Sequence, residues 1–499
     1  MDWSDEDPGL PIKFGPCSNA EYDPEPALPE VLLETTRRAR AASEEHARHL
    51  GMSRREFLLS ICGAATTLIA LDACTREAHR ADPSRTTSEP GGGYSIPPEA
   101  SVEPEPAHAA IGGEEFVFDV QGHLLEYNLN PILNGQDFWS LFPQQNCGED
   151  DPRVCYSIES FLELMFLRSD TSMLVLSALP IFPEGSPLSP QIMNETRRIA
   201  EGLCRDDRVL LHAQALPNIG RPEAALDSME ETAKRYPVVA WKTFTHFPAV
   251  FENNDQGWWL DDHDPNLPQV GEAFIRKAVD LGLPTICTHK GFGGGSVYAS
   301  PQDVGPAAKR HPEANFVIYH SGYEAGGPEG PYTPATANVG VNRLVTSLRR
   351  ARIGPNENVY AELGSTWWYV LRYPTEAAHV LGKLLKYVGE DNVVWGTDCL
   401  FYGSPQDQIQ ALRSFRISHE FQDRYGYPAL TKEIKHKILG LNGARLYGVD
   451  PLHTSCDFTR RELERIRRQL PGRNRTLGPA TANEAAAFRT LDHEAVSTG

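Results

Sequence analysis

Short apolar runs recur along the chain, and each is followed by a polar loop and a stretch with helical periodicity. Such runs are typical of buried parallel strands that alternate with helices. We predict eight strands: Glu115–Val120, Thr171–Ala178, Arg208–Gln214, Val238–Phe244, Leu283–His289, Asn315–His320, Asn358–Glu362 and Asn392–Asp398. Helical periodicity is clearest over Gln191–Leu203, Pro222–Tyr236, Gly271–Leu281 and Thr375–Val388.

Eight strands joined by helices predict an α/β fold, a closed (β/α)₈ TIM barrel, over residues 111–450. The competing architecture is a doubly wound open sheet, because a strand count made from one sequence errs by about one or two. All strands of a parallel barrel open on the same face at their carboxyl ends, and active sites are built there. The position of polar residues relative to the strand ends is therefore informative.

Residues 1–74 show a different pattern and are predicted to be a leader. Arg54 and Arg55 directly precede the apolar run Phe57–Leu71, which the sequence Leu71–Cys74 closes. This resembles a twin-arginine export signal that ends in a lipoprotein cleavage box, although Asp72 is unusual in such a box. The run has 15 residues, and a membrane-spanning helix needs roughly 20. We expect export to the periplasm or cell surface, with a lipid anchor at Cys74; the alternative is a short buried helix.

The two segments that flank the barrel are poor in apolar periodicity. Residues 75–110 are rich in Pro, Glu, Ser and Gly, and this composition predicts a flexible tether. In the segment 451–499, a charged helix is predicted near Phe458–Leu470, followed by a disordered tail.

Charge and cysteine content narrow the functional classes. The formal net charge of -20 disfavours binding to nucleic acid, and no basic patch offsets it. A small molecule is therefore the expected partner, and a homodimer is left open. The nine cysteines are too few for a disulfide framework at this length. After export, Cys147 and Cys155 are expected either to pair or to remain buried thiols.

Four potential metal ligands follow predicted strands. His123 lies just beyond the first, His289 ends the fifth, His320 ends the sixth and Asp398 ends the eighth. A single His at a strand end is more often an ordinary hydrogen-bonding residue than a ligand. The four residues together are stronger evidence for a metal site, because none of them lies in the middle of a strand. Imidazole nitrogens with one carboxylate suit Zn²⁺, Mn²⁺ or Fe²⁺.

The order of these motifs resembles the amidohydrolase-related family, which includes aminocarboxymuconate semialdehyde decarboxylase, resorcylate decarboxylases and various hydrolases. The matching motifs are THKGF after strand 5, YHSG after strand 6, GTD after strand 8 and KILGLNGARLYGVD near the end of the barrel. The resemblance implies that His123, His289 and Asp398 bind a single divalent metal and that His320 contacts the water or the substrate.

The first strand departs from the family pattern. Family members commonly have His-x-His there, whereas this chain has Gln121-Gly122-His123. An amide oxygen from Gln121 is a weaker ligand for Zn²⁺ than imidazole and suits a harder ion such as Mn²⁺. Some decarboxylases of the family have Glu at this position, and its pyrone lactonases bind no metal. The departure therefore puts zinc in doubt and leaves a metal-free member open.

The resemblance implies an enzyme and leaves its reaction open. The leading hypothesis is a metal-dependent hydrolase of a small amide, lactone or ester, in which Asp398 moves the proton and His320 stabilises the oxyanion. The second is a decarboxylase of an aromatic or unsaturated acid, in which Asp398 or His320 protonates the carbanion-like centre. The third is a barrel that binds a ligand without catalysis.

Further residues lie near the same predicted face. Lys242, at the end of strand 4, is expected to pair with a substrate carboxylate rather than to be a carbamylated bridging ligand. Glu362, at the end of strand 7, is expected to orient a ligand or to form an ordinary ion pair. Trp367 is a candidate wall of the substrate site, with core packing as the alternative.

The loop Thr245–Pro265 is a candidate lid, and it contains His246, His263, Trp258 and Trp259. The run Gly291–Ser296 lacks the context of a dinucleotide-binding motif and fits a flexible loop.

Overall fold

The computed structural model describes residues 8–126, 152–180, 186–204, 207–247, 257–325 and 327–453, together with 462, 465–467 and 477–486. Ten strands are present in this part of the chain: β1 Gly92–Tyr94, β2 Phe118–Gly122, β3 Met173–Ser177, β4 Val209–Gln214, β5 Val238–Phe244, β6 Thr285–Gly291, β7 Asn315–Tyr323, β8 Val359–Glu362, β9 Val393–Val394 and β10 Phe415–Ile417.

The helices in the same part of the chain are α1 Glu30–Leu50, α2 Arg54–Leu58, α3 Ile61–Ala81, α4 Pro104–Ile111, α5 Pro152–Cys155, α6 Ile158–Leu162, α7 Pro190–Cys204, α8 Pro222–Arg235, α9 Gly271–Asp280, α10 Val304–Arg310, α11 Asn342–Ala351, α12 Thr366–Val370, α13 Pro374–Tyr387, α14 Gln406–Ser414, α15 His419–Tyr425, α16 Lys432–His436 and α17 Asn442–Tyr447. Wider turns extend α6 over Glu163–Leu167 and join α16 to α17 over Lys437–Leu441. Short 3-10 turns lie at Pro98–Ser101, Val297–Ala299, Pro301–Asp303, Pro334–Thr336 and Pro451–His453.

Strands β2 to β9 form one parallel sheet in sequential order. The edges β2 and β9 meet, because the Val120 amide donates to the Trp395 carbonyl and the Asp398 amide donates to the Gln121 carbonyl, both at 2.9 Å. A parallel bridge between Gly122 and Cys399 continues this seam. The sheet therefore closes into an eight-stranded barrel, which confirms the predicted fold class and excludes the open sheet.

The predicted strands coincide with β2 to β9, with ends that differ by a few residues. The largest difference is at the eighth strand, where regular pairing covers only Val393–Val394 and single hydrogen bonds carry the chain on to Leu400. Fully buried aliphatic and aromatic side chains fill the barrel and the space under its helices. Burial on both faces explains why these strands appear in the sequence as continuous apolar runs.

Residues 75–110, which the composition predicted to be a flexible tether, are ordered against the barrel. Helix α3 extends to Ala81, and β1 pairs antiparallel with β10. Helix α4 buries Ala107 and Ile111 completely. The proline-rich composition was misleading because Pro104 lies in the first turn of α4, where a missing amide proton has no cost.

The predicted export signal forms part of this packing. Ser53 caps α2 in a reciprocal capping box with Glu56, and α1 packs along α3. The Cys74 thiol is buried in α3, so the predicted lipid anchor finds no support in the structure. Helices long and apolar enough to cross a membrane are absent from the described residues. Export stays a prediction.

Described segments near both ends of the chain pack against the barrel. Residues 8–25, here called the strap, bury the side chains of Leu10, Ile12 and Phe14. The Ser18 amide of the strap donates to the Pro479 carbonyl at 2.9 Å, so part of the predicted disordered tail is packed here as well. The predicted helix near Phe458–Leu470 lies mostly outside the described residues. Cys155 is disulfide-bonded, and its suggested partner Cys147 also lies outside them.

Candidate metal centre

Gln121, His123 and Asp398 meet at the seam between β2 and the end of β9. His123 Nε2 lies 3.1 Å from Asp398 Oδ1. The Gln121 amide nitrogen lies 3.0 Å from the same oxygen and 3.3 Å from His123 Nε2. The Gln121 side chain therefore reaches the candidate ligands but presents its amide nitrogen to them, so its role as a metal ligand stays a prediction. Its Oε1 atom is buried and has no hydrogen-bond partner among the described residues.

His289 and His320 form the second part of the site, at the ends of β6 and within β7. His289 Nδ1 lies 3.2 Å from His320 Nε2, and the two rings meet edge to face. Asp398 and His320 both have left-handed backbone conformations, with φ near 58°. Such conformations are uncommon for residues with a side chain and cluster at functional sites.

Each of the three imidazoles is fixed by a backbone carbonyl. His123 Nδ1 bonds to Ser177 O at 2.6 Å, His289 Nε2 to Gly291 O at 3.0 Å and His320 Nδ1 to Gly364 O at 2.9 Å. A carbonyl only accepts, so each of these nitrogens carries the proton. The opposite nitrogen of each neutral ring then offers a lone pair to the site. This is the arrangement usual for metal-binding histidines.

Burial keeps two of these rings neutral. Desolvation lowers the pKa of His289 well below its ordinary value and that of His320 to about 4. Burial by itself raises the pKa of Asp398, but its contacts with His123 and His320 and the hydrogen bond from Ser365 outweigh burial, and the net pKa lies below the ordinary value. The site therefore combines uncharged nitrogen donors with an ionised carboxylate at neutral pH.

The tautomer of His320 corrects its expected role as an oxyanion donor. Its Nδ1 proton is engaged by the Gly364 carbonyl, so Nε2 has no proton to donate when the ring is neutral. His320 is instead suited to accept a proton or to bind a cation.

Lys242, at the end of β5, is the cationic group of the site. Its Nζ atom has no hydrogen-bond partner among the described residues and lies 3.5 Å from the centre of the Tyr319 ring. Burial lowers its pKa to about 8, against the opposing effect of Glu21 and Asp398. Its charge in turn lowers the pKa of both His289 and His320, which places the amine within electrostatic reach of the imidazoles.

Glu362, at the end of β8, supports the backbone of the site rather than facing a substrate. Its two oxygens accept hydrogen bonds from the His320 amide at 3.0 Å and the Gly364 amide at 2.5 Å. Burial raises its pKa to about 8. These contacts act on His320 through the main chain, and the role of Glu362 in orienting a ligand stays a prediction.

Trp367 lies in the core, which corrects its suggested role in a substrate wall. Its indole nitrogen donates to the Gln408 carbonyl at 3.0 Å, and its ring meets Phe415 edge to face. The residues that follow β8 form helix α12 rather than an extended segment. This helix directs the Trp367 side chain towards α14, where it is buried.

The described part of the candidate lid also packs inward. Trp258 contacts Phe274 of α9 edge to face, and Trp259 contacts Tyr298. His263 pairs with Asp261, where its imidazole is partly exposed. Residues 248–256, the centre of the loop, lie outside the described residues, so the lid stays a prediction.

Three site residues were missed in the sequence. His246 was assigned to the lid, but its ring lies 4.6 Å from that of His289 and its Nδ1 has no hydrogen-bond partner among the described residues. Asn19 and Glu21 of the strap reach Asp398 and His289. The clue for the strap was the alternation of Leu10, Ile12 and Phe14 with other residues, which is typical of an extended segment with one buried face.

The donor set fits a divalent metal. Ligand atoms lie within 4.8 Å of one another in each of two groups, which are Glu21 with His246 and His289, and Glu21 with His320 and Asp398. His123 is in neither group and joins the site through its contact with Asp398. Imidazole and carboxylate donors of this kind suit Mn²⁺, Fe²⁺ and Zn²⁺.

A model of the family described as amidohydrolase matches residues 191–449, more than half of the chain. The chain belongs to the amidohydrolase family. It therefore belongs to a family of enzymes, and the matched region spans β4 to β10, including His289, His320 and Asp398. Comparison with curated proteins found no match.

Three solved structures illustrate what the chain is similar to. An uncharacterised TIM-barrel protein from Bordetella bronchiseptica is 12% identical, covers 66% of this chain and 98% of its own, and has a TM-score of 0.41. The 5-carboxyvanillate decarboxylase of Sphingomonas paucimobilis is 15% identical, with 68% and 100% covered and a TM-score of 0.38. The 4-oxalomesaconate hydratase of Rhodopseudomonas palustris is 15% identical, with 67% and 96% covered and a TM-score of 0.42.

Proposed function

We propose that this protein is a metal-dependent hydrolase of a small amide, lactone or ester, with one divalent ion bound among His123, His289 and Asp398. The observation that carries the proposal is the common orientation of the imidazoles, each of which donates one ring proton to a backbone carbonyl and offers its other nitrogen to the site. A divalent ion bound there would lower the pKa of a water molecule and polarise the substrate carbonyl.

The roles of the surrounding residues follow from their protonation. Asp398 is ionised and accepts the proton of the attacking water, then returns it to the leaving group. Ser365 Oγ and Asn19 Nδ2 hold its other oxygen, Oδ2, at 2.5 and 2.7 Å, so the carboxylate keeps a fixed orientation. Lys242 is the N–H donor that meets negative charge on the substrate, in place of His320.

The second candidate is a carboxy-lyase, and Lys242 is the observation that favours it. A buried amine without a hydrogen-bond partner is costly, and a substrate carboxylate would compensate that cost. In that reaction Lys242 binds the carboxylate. His320 Nε2, which is bare in the resting state, takes a proton from water and passes it to the carbon that loses CO₂, and the hydroxide left behind combines with the CO₂ as bicarbonate.

Metal analysis combined with a substrate panel tests the proposal. We expect about one equivalent of Mn, Fe or Zn per chain after reconstitution and a loss of thermal stability on chelation. Less than about 0.1 equivalent, with no change in stability on chelation, would contradict the metal site. Hydrolysis of a lactone, ester or amide supports the leading reaction, whereas CO₂ release from a carboxylic acid without hydrolysis selects the carboxy-lyase.

A further inference from the structure

The strap brings a carboxylate to the metal centre from outside the barrel. Glu21 Oε1 lies 3.3 Å from His289 Nδ1, and Oε2 lies 3.6 Å from His320 Nε2. Glu21 belongs to both groups of ligand atoms described above, so it lies between the two parts of the site. Its side chain is 16% exposed.

The contacts between an ionised Glu21 carboxylate and the two imidazoles lack a proton to mediate them. His289 and His320 each use their ring proton on a backbone carbonyl, and the nitrogens that face Glu21 are bare when the rings are neutral. A carboxylate oxygen is also an acceptor. Three acceptor groups that converge at separations of 3.2, 3.3 and 3.6 Å repel one another unless a cation lies between them.

The strap holds the Glu21 carboxylate in place. Asn19 Nδ2 donates to Glu21 Oε2 at 2.5 Å and to Asp398 Oδ2 at 2.7 Å, so one amide joins the two carboxylates. The Glu21 carbonyl accepts a hydrogen bond from the Gly294 amide at 3.0 Å, in the loop after β6. Glu21 is therefore fixed through both its side chain and its main chain.

The charge balance of the metal site explains why a second carboxylate is needed at this position. The ligands from the strands are neutral imidazoles, the neutral amide of Gln121 and one carboxylate, Asp398. They leave a buried divalent cation with an uncompensated charge of +1, and burial of unpaired charge is costly. A second carboxylate would neutralise the ion.

We propose that Glu21 is a ligand of the divalent metal, supplied by the N-terminal strap, and that its charge compensates for the neutral Gln121 on the first strand. This inference rests on the proposed metal site but assigns it a ligand from outside the barrel. The strap is then part of the metal centre.

The test compares two charge-removing substitutions on the same strap. Glu21→Gln keeps the size of the side chain and removes the charge. Glu25→Gln is the matched control, because Glu25 accepts a hydrogen bond from Tyr373 and approaches Arg372 instead of the imidazoles. Metal affinity is measured by competition with a chelator for Mn²⁺ and Zn²⁺, and coordination by the visible absorption of the Co²⁺-loaded protein.

We expect Glu21→Gln to bind metal at least about tenfold more weakly and to change the Co²⁺ spectrum, since even the loss of an outer hydrogen-bonding partner weakens metal binding about 10- to 100-fold. Glu25→Gln should match the unmodified protein. Glu21→His, which restores a ligand without a negative charge, should recover part of the affinity. Circular dichroism of the metal-free variants checks that each is folded.

Two other outcomes would overturn the inference. If Glu21→Gln binds metal within about twofold of the unmodified protein and keeps its Co²⁺ spectrum, Glu21 is not a ligand. If it binds metal equally well and its activity rises, the strap is only a cover over the site. Failure of the proposed metal site is distinguishable from both, because the unmodified protein would then bind no metal at all. Failure of the proposed reaction alone would leave the metal measurements on all variants unchanged.

Discussion

The barrel and the strap each bring a carboxylate to one site, and they hold it by different means. Asp398 follows β9, and its amide is part of the seam that closes the barrel. Glu21 lies on an extended segment that is fixed by side-chain contacts and by single hydrogen bonds to loops. Displacing Asp398 requires opening the sheet, whereas displacing Glu21 requires only release of the strap. Glu21 can therefore leave the site while the barrel stays folded, whereas Asp398 cannot.

The largest effect is expected from the barrel carboxylate. Asp398→Asn removes the charge and the proton acceptor while keeping the shape, and we expect activity to fall about 10²- to 10⁴-fold, together with weaker metal binding. Asp423→Asn, at an exposed position on α15, is the control and should leave both properties unchanged. Steady-state kinetics and metal analysis measure the effect. Full activity in Asp398→Asn would remove Asp398 from the mechanism.

Substitution of one buried isoleucine in each region compares the stability of the barrel with that of the strap. Ile318 in β7 and Ile12 in the strap are both fully buried. Ile318→Ala should lower the free energy of global unfolding by about 2–4 kcal/mol, as expected for a cavity in a rigid core. Ile12→Ala should mainly release the strap, because that segment can open while the sheet stays intact.

Hydrogen exchange resolves the two effects of the isoleucine pair. In Ile12→Ala the amides of residues 10–22 should exchange faster, while those of β7 keep their protection. In Ile318→Ala both regions should become less protected together, since global unfolding exposes both. Equal loss of protection in strap and barrel in the Ile12→Ala variant would show that the strap is as integral to the fold as the strands.

The same contrast explains what could be predicted from the sequence. The eight strands were predictable because buried parallel strands are continuously apolar, and His289, His320 and Asp398 were found because their positions at strand ends are set by the barrel itself. The strap was missed because residues 1–74 were assigned to a leader and set aside. Its contacts join residues almost 380 positions apart, such as Asn19 and Asp398, and local periodicity contains no information on such pairs.

The two interpretations of the N-terminal segment also have different consequences. Cleavage before Cys74 would remove residues 1–73 from the mature chain, and Glu21 with them. If the leader is cleaved before Cys74, Glu21 cannot bind metal in the mature enzyme. The two proposals therefore cannot both hold for one polypeptide. The burial of Phe57, Leu68 and Leu71 favours retention of the segment.

The smallest expected effect concerns a carboxylate where the strap meets the barrel. Glu376 of α13 accepts a hydrogen bond from the Glu329 amide at 2.9 Å. Burial raises its pKa to about 7, and the charges of Glu329 and Glu25 add to this. The folded protein therefore favours the protonated form of Glu376 more than the unfolded chain does. The stabilisation is complete below pH 4.5 and is lost as the pH rises through 7.

Glu376→Gln should remove this pH dependence, because the amide oxygen still accepts the Glu329 hydrogen bond and carries no charge. In the metal-free protein, we expect the free energy of unfolding to fall by about 1–2 kcal/mol more between pH 5 and 7 in the unmodified chain than in the variant. Denaturant unfolding at three pH values in this range measures the difference. Parallel pH dependence in the two proteins would mean that Glu376 is solvated and ionised in the fold, and that the negative charge of Glu25 on the strap adds nothing to its pKa.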